Sequence, residues 1–166
     1  MRILGVDPGT VVVGYGVIDD TDDDMKAVLF GSIKCHQSLA MSERLNYLHM
    51  ELGKVIEQSQ PDAVAIEMPF VGDNVKSALA IGKAQAVAIL AASQHHKPVF
   101  EYSPASIKSH VADYGASTKE QVQDMVKLLL DLKEIPQPND AADALAVAIC
   151  HSRECRFRAI ASAAPD

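Results

Sequence analysis

The chain alternates short apolar runs with longer stretches of helical period. Ile3-Leu4-Gly5-Val6 is a continuous apolar run that ends in Asp7 and is turned by Pro8-Gly9. Such a run predicts a strand over 2–7 covered on both faces. Strands are predicted over 14–18 and 27–33, joined by a loop crowded with Asp19, Asp20, Asp22, Asp23 and Asp24. Leu45, Leu48, Leu52, Val55 and Ile56 fall on one face of a helix over 42–59, which Pro61-Asp62 ends. Ala63-Val64-Ala65-Ile66 then reads as a second buried strand, ended by Glu67. A helix precedes it, so it should run parallel to a strand of the same sheet.

A helix rich in small residues is predicted over 74–94, a short strand over 99–102 after Pro98, and a helix over 104–112 opened by Pro104. Ser117 and Glu120 have the spacing of a capping box for a helix over 118–131. Asn139 is the expected N-cap of a last, almost wholly apolar helix over 140–152. The tail 153–166 is expected to fray. No linker composition divides the chain, so the pattern predicts one α/β domain over 1–152.

Four carboxylates break the apolar pattern. Asp7 and Glu67 end the two buried strands, and Asp140 and Asp143 open the apolar helix three residues apart. A buried carboxylate neutralises or finds a cation, and none of the four has a Lys or Arg beside it in sequence. If the two strands are adjacent and parallel, their ends lie about 4.8 Å apart, at the edge where open α/β sheets bind ligands. Residues three apart on a helix share a face. The four acids can then converge into an all-oxygen site, which suits Mg²⁺, or Mn²⁺ in its place. Two ions roughly 3.5–4 Å apart would serve in-line hydrolysis of a phosphodiester. Singly, Asp7 also fits a strand-to-turn exit and Asp140 a helix dipole.

Composition narrows the picture without deciding it. The 166 residues, 48% apolar and 22% charged, suit one soluble domain with a full core. Cys35, Cys150 and Cys155 are odd in number and form no CxxC pair, which fits a reducing cytoplasm. The stretch 84–92 is too short to span a bilayer, and no membrane is expected. The net charge of −7 is unusual for a nucleic-acid binder. Five of the acids crowd one loop and four are candidate ligands, so the remainder of the chain is close to balanced. The Asp-rich loop lacks EF-hand order. His151, near the expected end of the last helix, reads as a dipole-complementing histidine.

Gly5-Val6-Asp7-Pro8-Gly9-Thr10 with Gly14-Tyr15-Gly16-Val17 resembles the opening of the RuvC-type Holliday-junction resolvases. Pro61-Asp62-Ala63-Val64-Ala65-Ile66-Glu67 and Asp140-Ala141-Ala142-Asp143-Ala144-Leu145-Ala146 resemble their later acidic segments. The likeness runs nearly end to end. It implies an RNase H-like fold, a five-stranded mixed sheet flanked by helices on both faces. It implies a homodimer that makes Mg²⁺-dependent, symmetric nicks in a four-way DNA junction, leaving 5′-phosphate and 3′-hydroxyl ends. Asp7, Glu67, Asp140 and Asp143 match the catalytic and metal-binding acids. Lys108 and Lys119 match basic positions near the scissile phosphate, and Phe70 an aromatic that probes the crossover. A branch-migration helicase complex is the implied partner.

Val11-Val12-Val13 and Gly72-Asp73-Asn74 depart from the family pattern, which often carries a basic residue in each loop. Two other functions compete. One is an ATP-binding module of the actin and sugar-kinase type, which shares Asp7-Pro8-Gly9-Thr10 but needs a second half. The other is a junction binder without catalysis, which would not need all four acids.

Overall fold

A computed structural model describes residues 1–21, 24–70, 74–112 and 115–163. Asp22, Asp23, Gly72 and Asp73, named above for the acidic loop and the departing loop, lie outside the described residues. Among the described residues the chain forms β1 (Arg2–Asp7), β2 (Val12–Asp20), β3 (Met25–Lys34), α1 (Met41–Ser59), β4 (Ala63–Glu67), α2 (Val75–Gln94), β5 (Val99–Tyr102), α3 (Pro104–Ala112), α4 (Lys119–Leu129) and α5 (Asn139–Ala163).

The five strands make one mixed sheet in the order β3-β2-β1-β4-β5. The first three are antiparallel neighbours, and β4 and β5 run parallel to β1. Pleating sends alternate residues to opposite faces. Leu4, Val6, Val64 and Ile66 face a core completed by Leu48, Leu52 and Ile56 of α1 and Ala88, Ala91 and Ala92 of α2. Ile3, Ala65 and Tyr102 face a second core with α3, α4 and α5.

Glycine sets the distance between α5 and the sheet. A Cβ on Gly5 would stand 2.0 Å from the Ala144 carbonyl oxygen and 2.7 Å from the Ala148 nitrogen; one on Gly14 would stand 2.0 Å from the Asp140 carbonyl oxygen. These neighbours are backbone and cannot swing aside. Gly5→Ala is therefore expected to destabilise the fold by roughly 3 kcal/mol or more, seen as a lower urea midpoint. An unchanged midpoint would contradict this packing.

β2 and β3 run longer than the 14–18 and 27–33 expected from the sequence, and three further differences bear on packing. Thr118, not Ser117, caps α4: its hydroxyl accepts from the Gln121 N–H, and the Gln121 side chain accepts from the Thr118 N–H. Residues 117–120 and 118–121 both fit the box pattern, and the second places Val122 and Val126 in the core. The last helix begins at Asn139 and runs on to Ala163 instead of stopping at 152. Its continuation is tied down: Arg156 pairs with buried Asp20, which also accepts from Ser152 Oγ at 2.7 Å. Arg158 pairs with Glu154 at 2.8 Å. Finally, the apolar stretch expected at 84–92 is too narrow. All of α2 is long and apolar enough to cross a bilayer by length and composition. Here it lies on the sheet with Ala84, Ala88, Ala91 and Ala92 buried.

Candidate active site

The ends of β1 and β4 meet as the sequence predicts. Val6 pairs with Ile66, so Asp7 and Glu67 stand side by side, both on the face toward α5. On the other flank of Asp7, Gly14 is its antiparallel partner, and the Asp140 backbone lies against that glycine. Asp143 follows one turn on. A cavity of about 320 Å³ opens here, lined by Asp7, Glu67, Asp143, Lys108 of α3, Lys119 of α4, and the apolar residues Pro104, Ile107, Val122 and Ala146.

Six of the seven sequence-predicted residues are thus at or beside one cavity. Asp140 is at its edge, near enough to act electrostatically on Asp7 and Lys119 but outside the lining. Phe70 lies beyond the lining as well, three residues after Glu67, and is 75% exposed. The expected four-acid cage is more open than the spacing suggested. Among the described residues no three Asp, Glu, His or Cys side chains are gathered around a point that could hold a metal ion. The sequence reading placed Lys119 near the phosphate but missed its pairing with an acid of the site: Nζ lies 2.5 Å from Asp143 Oδ2, across 24 residues of chain. The apolar wall was missed too. Its signal was present in helical spacing, since Val122 follows Lys119, and Ala146 follows Asp143, by three residues.

The electrostatics are those of crowded acid. Burial first, then repulsion from Asp7 and Asp143, pushes the Glu67 carboxyl up to about 8. Burial, then Asp143 and Asp140, pushes Asp7 up to about 6, with Lys119 and a hydrogen bond from Glu67 opposing. Both carboxyls are thereby easier to protonate than ordinary ones. Lys119 loses by burial but gains more from its hydrogen bond to Asp143 and from the charges of Asp143, Asp7 and Asp140, so its ammonium form is favoured. Three to four acids facing two lysines leave the pocket short of positive charge.

A family model described as crossover junction endodeoxyribonuclease RuvC matches residues 3–151. The chain belongs to the RuvC family. The RuvC of Dehalococcoides mccartyi is 59% identical over 162 residues, covering 98% of each chain. That of Alkaliphilus oremlandii is 46% identical over 157 residues, 95% of this chain and 96% of the relative. A solved structure of T. thermophilus RuvC in complex with Holliday junction substrate superposes with a TM-score of 0.89 at 31% identity, covering 95% and 96% of the two chains. The five-stranded RNase H-like architecture expected from the resemblance is the one observed. A near full-length RuvC match sets aside the actin and sugar-kinase alternative.

Proposed function

We propose that this chain resolves four-way (Holliday) DNA junctions in recombination and repair, as a Mg²⁺-dependent endonuclease making paired symmetric nicks. The observation that carries the reading is the cavity lined by half-buried Asp7, Glu67 and Asp143 together with Lys108 and Lys119. An all-oxygen donor set with excess negative charge fits a hard divalent cation. Asp7, Glu67, Asp140 and Asp143 would hold it, and Mn²⁺ would substitute. When bound, such ions activate water and offset charge on the departing oxygen.

The chain's own residues do the remainder. Lys108 and Lys119 draw the scissile phosphate to the acid edge, helped by the α4 N-terminus, whose first residue is Lys119. The apolar wall of Pro104, Ile107 and Val122 limits water on one side. Exposed Phe70 can stack on an unpaired base at the crossover. These few basic groups, against a net charge of −7, neutralise few phosphates, so electrostatic binding should be weak and its salt dependence shallow. The three free cysteines fit a reducing cytoplasm, and the family resemblance supplies a branch-migration complex as partner.

Paired nicks need two sites, and α2 offers a surface for a second copy. Leu79, Lys83, Ala86 and Leu90 recur at helical spacing on its outer face, with Leu79 66% and Leu90 56% exposed. A Cβ on Gly82 would meet nothing within 4 Å, so another backbone can approach there. Leu79→Glu with Leu90→Glu is expected to convert a dimer to a monomer in sedimentation and to end paired nicking. Dimers persisting in that variant would move the interface elsewhere.

The test of function compares a four-way junction with a linear duplex of matching sequence, with and without Mg²⁺. Symmetric nicks in the junction alone, only with Mg²⁺, are expected. Equal cutting of both substrates would make it a general nuclease; junction binding without cutting would favour the non-catalytic reading.

A further inference from the structure

We propose that Tyr102 and His151 form a buried positioning pair that sets how Glu67 stands relative to the acids of α5. Tyr102 is the last residue of β5 and the register partner of Glu67. The Met68 N–H donates to its carbonyl oxygen at 2.8 Å, so the chain on both sides of the bond is tied. Glu67 is therefore flanked by Asp7 on one strand and Tyr102 on the other, all on the face toward α5. The Tyr102 hydroxyl reaches His151 Nδ1 at 2.7 Å. His151 is 1% exposed, packs against Phe100 with ring centroids 4.3 Å apart and planes tilted by 35°, and places Nε2 3.6 Å from Cys155 Sγ. Contrary to its reading as a helix-end histidine, it sits mid-helix in α5.

The pair is more than filling. α5 lies in backbone contact with β1 and β2 through Gly5 and Gly14. That contact fixes Asp140 and Asp143 against Asp7. It holds them against β4, which carries Glu67, only indirectly, through the pairing of β1 with β4 and the packing of Ala65. Among the described residues, Tyr102 to His151 is the one side-chain hydrogen bond joining β4 or β5 to α5. It lies eight residues along α5 from Asp143, about 12 Å at the helical rise. A phenylalanine and a leucine would fill the same space without the cost of burying two polar groups. What the polar pair adds is direction: a bond of defined length ties the end of β5, the strand beside Glu67, to α5.

Both groups are held neutral by their surroundings. Burial first, then Arg158, lowers the His151 value below its ordinary one, and burial raises that of Tyr102. The tautomer that satisfies both ring nitrogens carries its proton on Nε2. The Tyr102 hydroxyl then donates to Nδ1, and Nε2–H faces the Cys155 sulfur.

This inference rests on the metal-dependent reading above, and its test separates the two. Mn²⁺ binding to the DNA-free protein is followed by electron paramagnetic resonance, beside thermal melting and junction cleavage, for wild type, Tyr102→Phe, His151→Leu, the double variant and His151→Asn. Each of Tyr102→Phe and His151→Leu leaves a buried polar partner alone and should lower the melting midpoint. The double variant removes both partners and should recover most of that loss. Mn²⁺ affinity should fall about tenfold in both single variants and stay low in the double. His151→Asn keeps a polar atom near the Nδ1 position and should retain more affinity than His151→Leu. Affinity within twofold of wild type in Tyr102→Phe and the double, or affinity that recovers together with the melting midpoint, overturns the positioning role. Wild-type protein that neither binds Mn²⁺ nor cuts a junction overturns the metal-dependent reading itself, and this one with it.

Discussion

Asp7→Asn is expected to lower Mg²⁺-dependent junction cleavage by roughly three orders of magnitude or more, while junction binding stays within about threefold. Asp7 is central to the site: Gly14 and the Asp140 backbone lie on one flank, Glu67 on the other. Asparagine keeps its shape but loses an anionic oxygen donor. Binding should survive because Lys108, Lys119 and Phe70 are untouched. The variant should also melt no lower than wild type in the absence of metal, because it removes one of several half-buried, mutually repelling charges. That combination distinguishes a lost donor from a damaged fold. Nicking within tenfold of wild type would place the chemistry elsewhere.

The second large effect concerns stability. Glu67→Gln is expected to stabilise the metal-free protein at pH 8 by roughly 2–4 kcal/mol. The folded-state value of Glu67 is raised to about 8, from an ordinary 4.5. Between those values the folded chain holds a proton that the unfolded chain has released. Stability is then fully present below about pH 4.5 and is lost as pH rises through about 8. Glutamine mimics the protonated side chain and removes that loss, so its benefit should grow with pH and vanish near pH 4. Saturating Mg²⁺ should raise the melting point of wild type at pH 8 and raise that of the variant much less. Parallel pH–stability curves for the two proteins, in metal-free buffer, would contradict the burial of this carboxyl.

Much of this site was legible in the chain because its signals are local. Asp7 and Glu67 each end a continuous apolar run, and β1 beside β4 follows from the intervening helix. Asp140 and Asp143 are legible by spacing within one helix. What the chain hides is contact between segments. Lys119 and Asp143 are 24 residues apart, Tyr102 and His151 are 49 apart, and nothing in either neighbourhood marks the partner. The C-terminal helix was underestimated for a related reason. Arg153-Glu154-Cys155-Arg156 looks like a solvated end until Asp20, 136 residues earlier, is placed beneath Arg156. The cap of α4 was displaced by one residue because two overlapping tetrapeptides satisfy one local rule, and only packing chooses between them.

The glycine track beneath α5 carries a lesson for anyone redesigning this scaffold. A helix resting on side chains can drift by an ångström as residues beneath it are exchanged. One resting on bare main chain, as at Gly5 and Gly14, has no such slack. The gap between Asp7 and the pair Asp140 and Asp143 is thereby set by polypeptide thickness, a dimension that substitution cannot tune in small steps. Variation in cutting preference is better sought in the loops and the outer strands, where the molecule can change without disturbing that gauge.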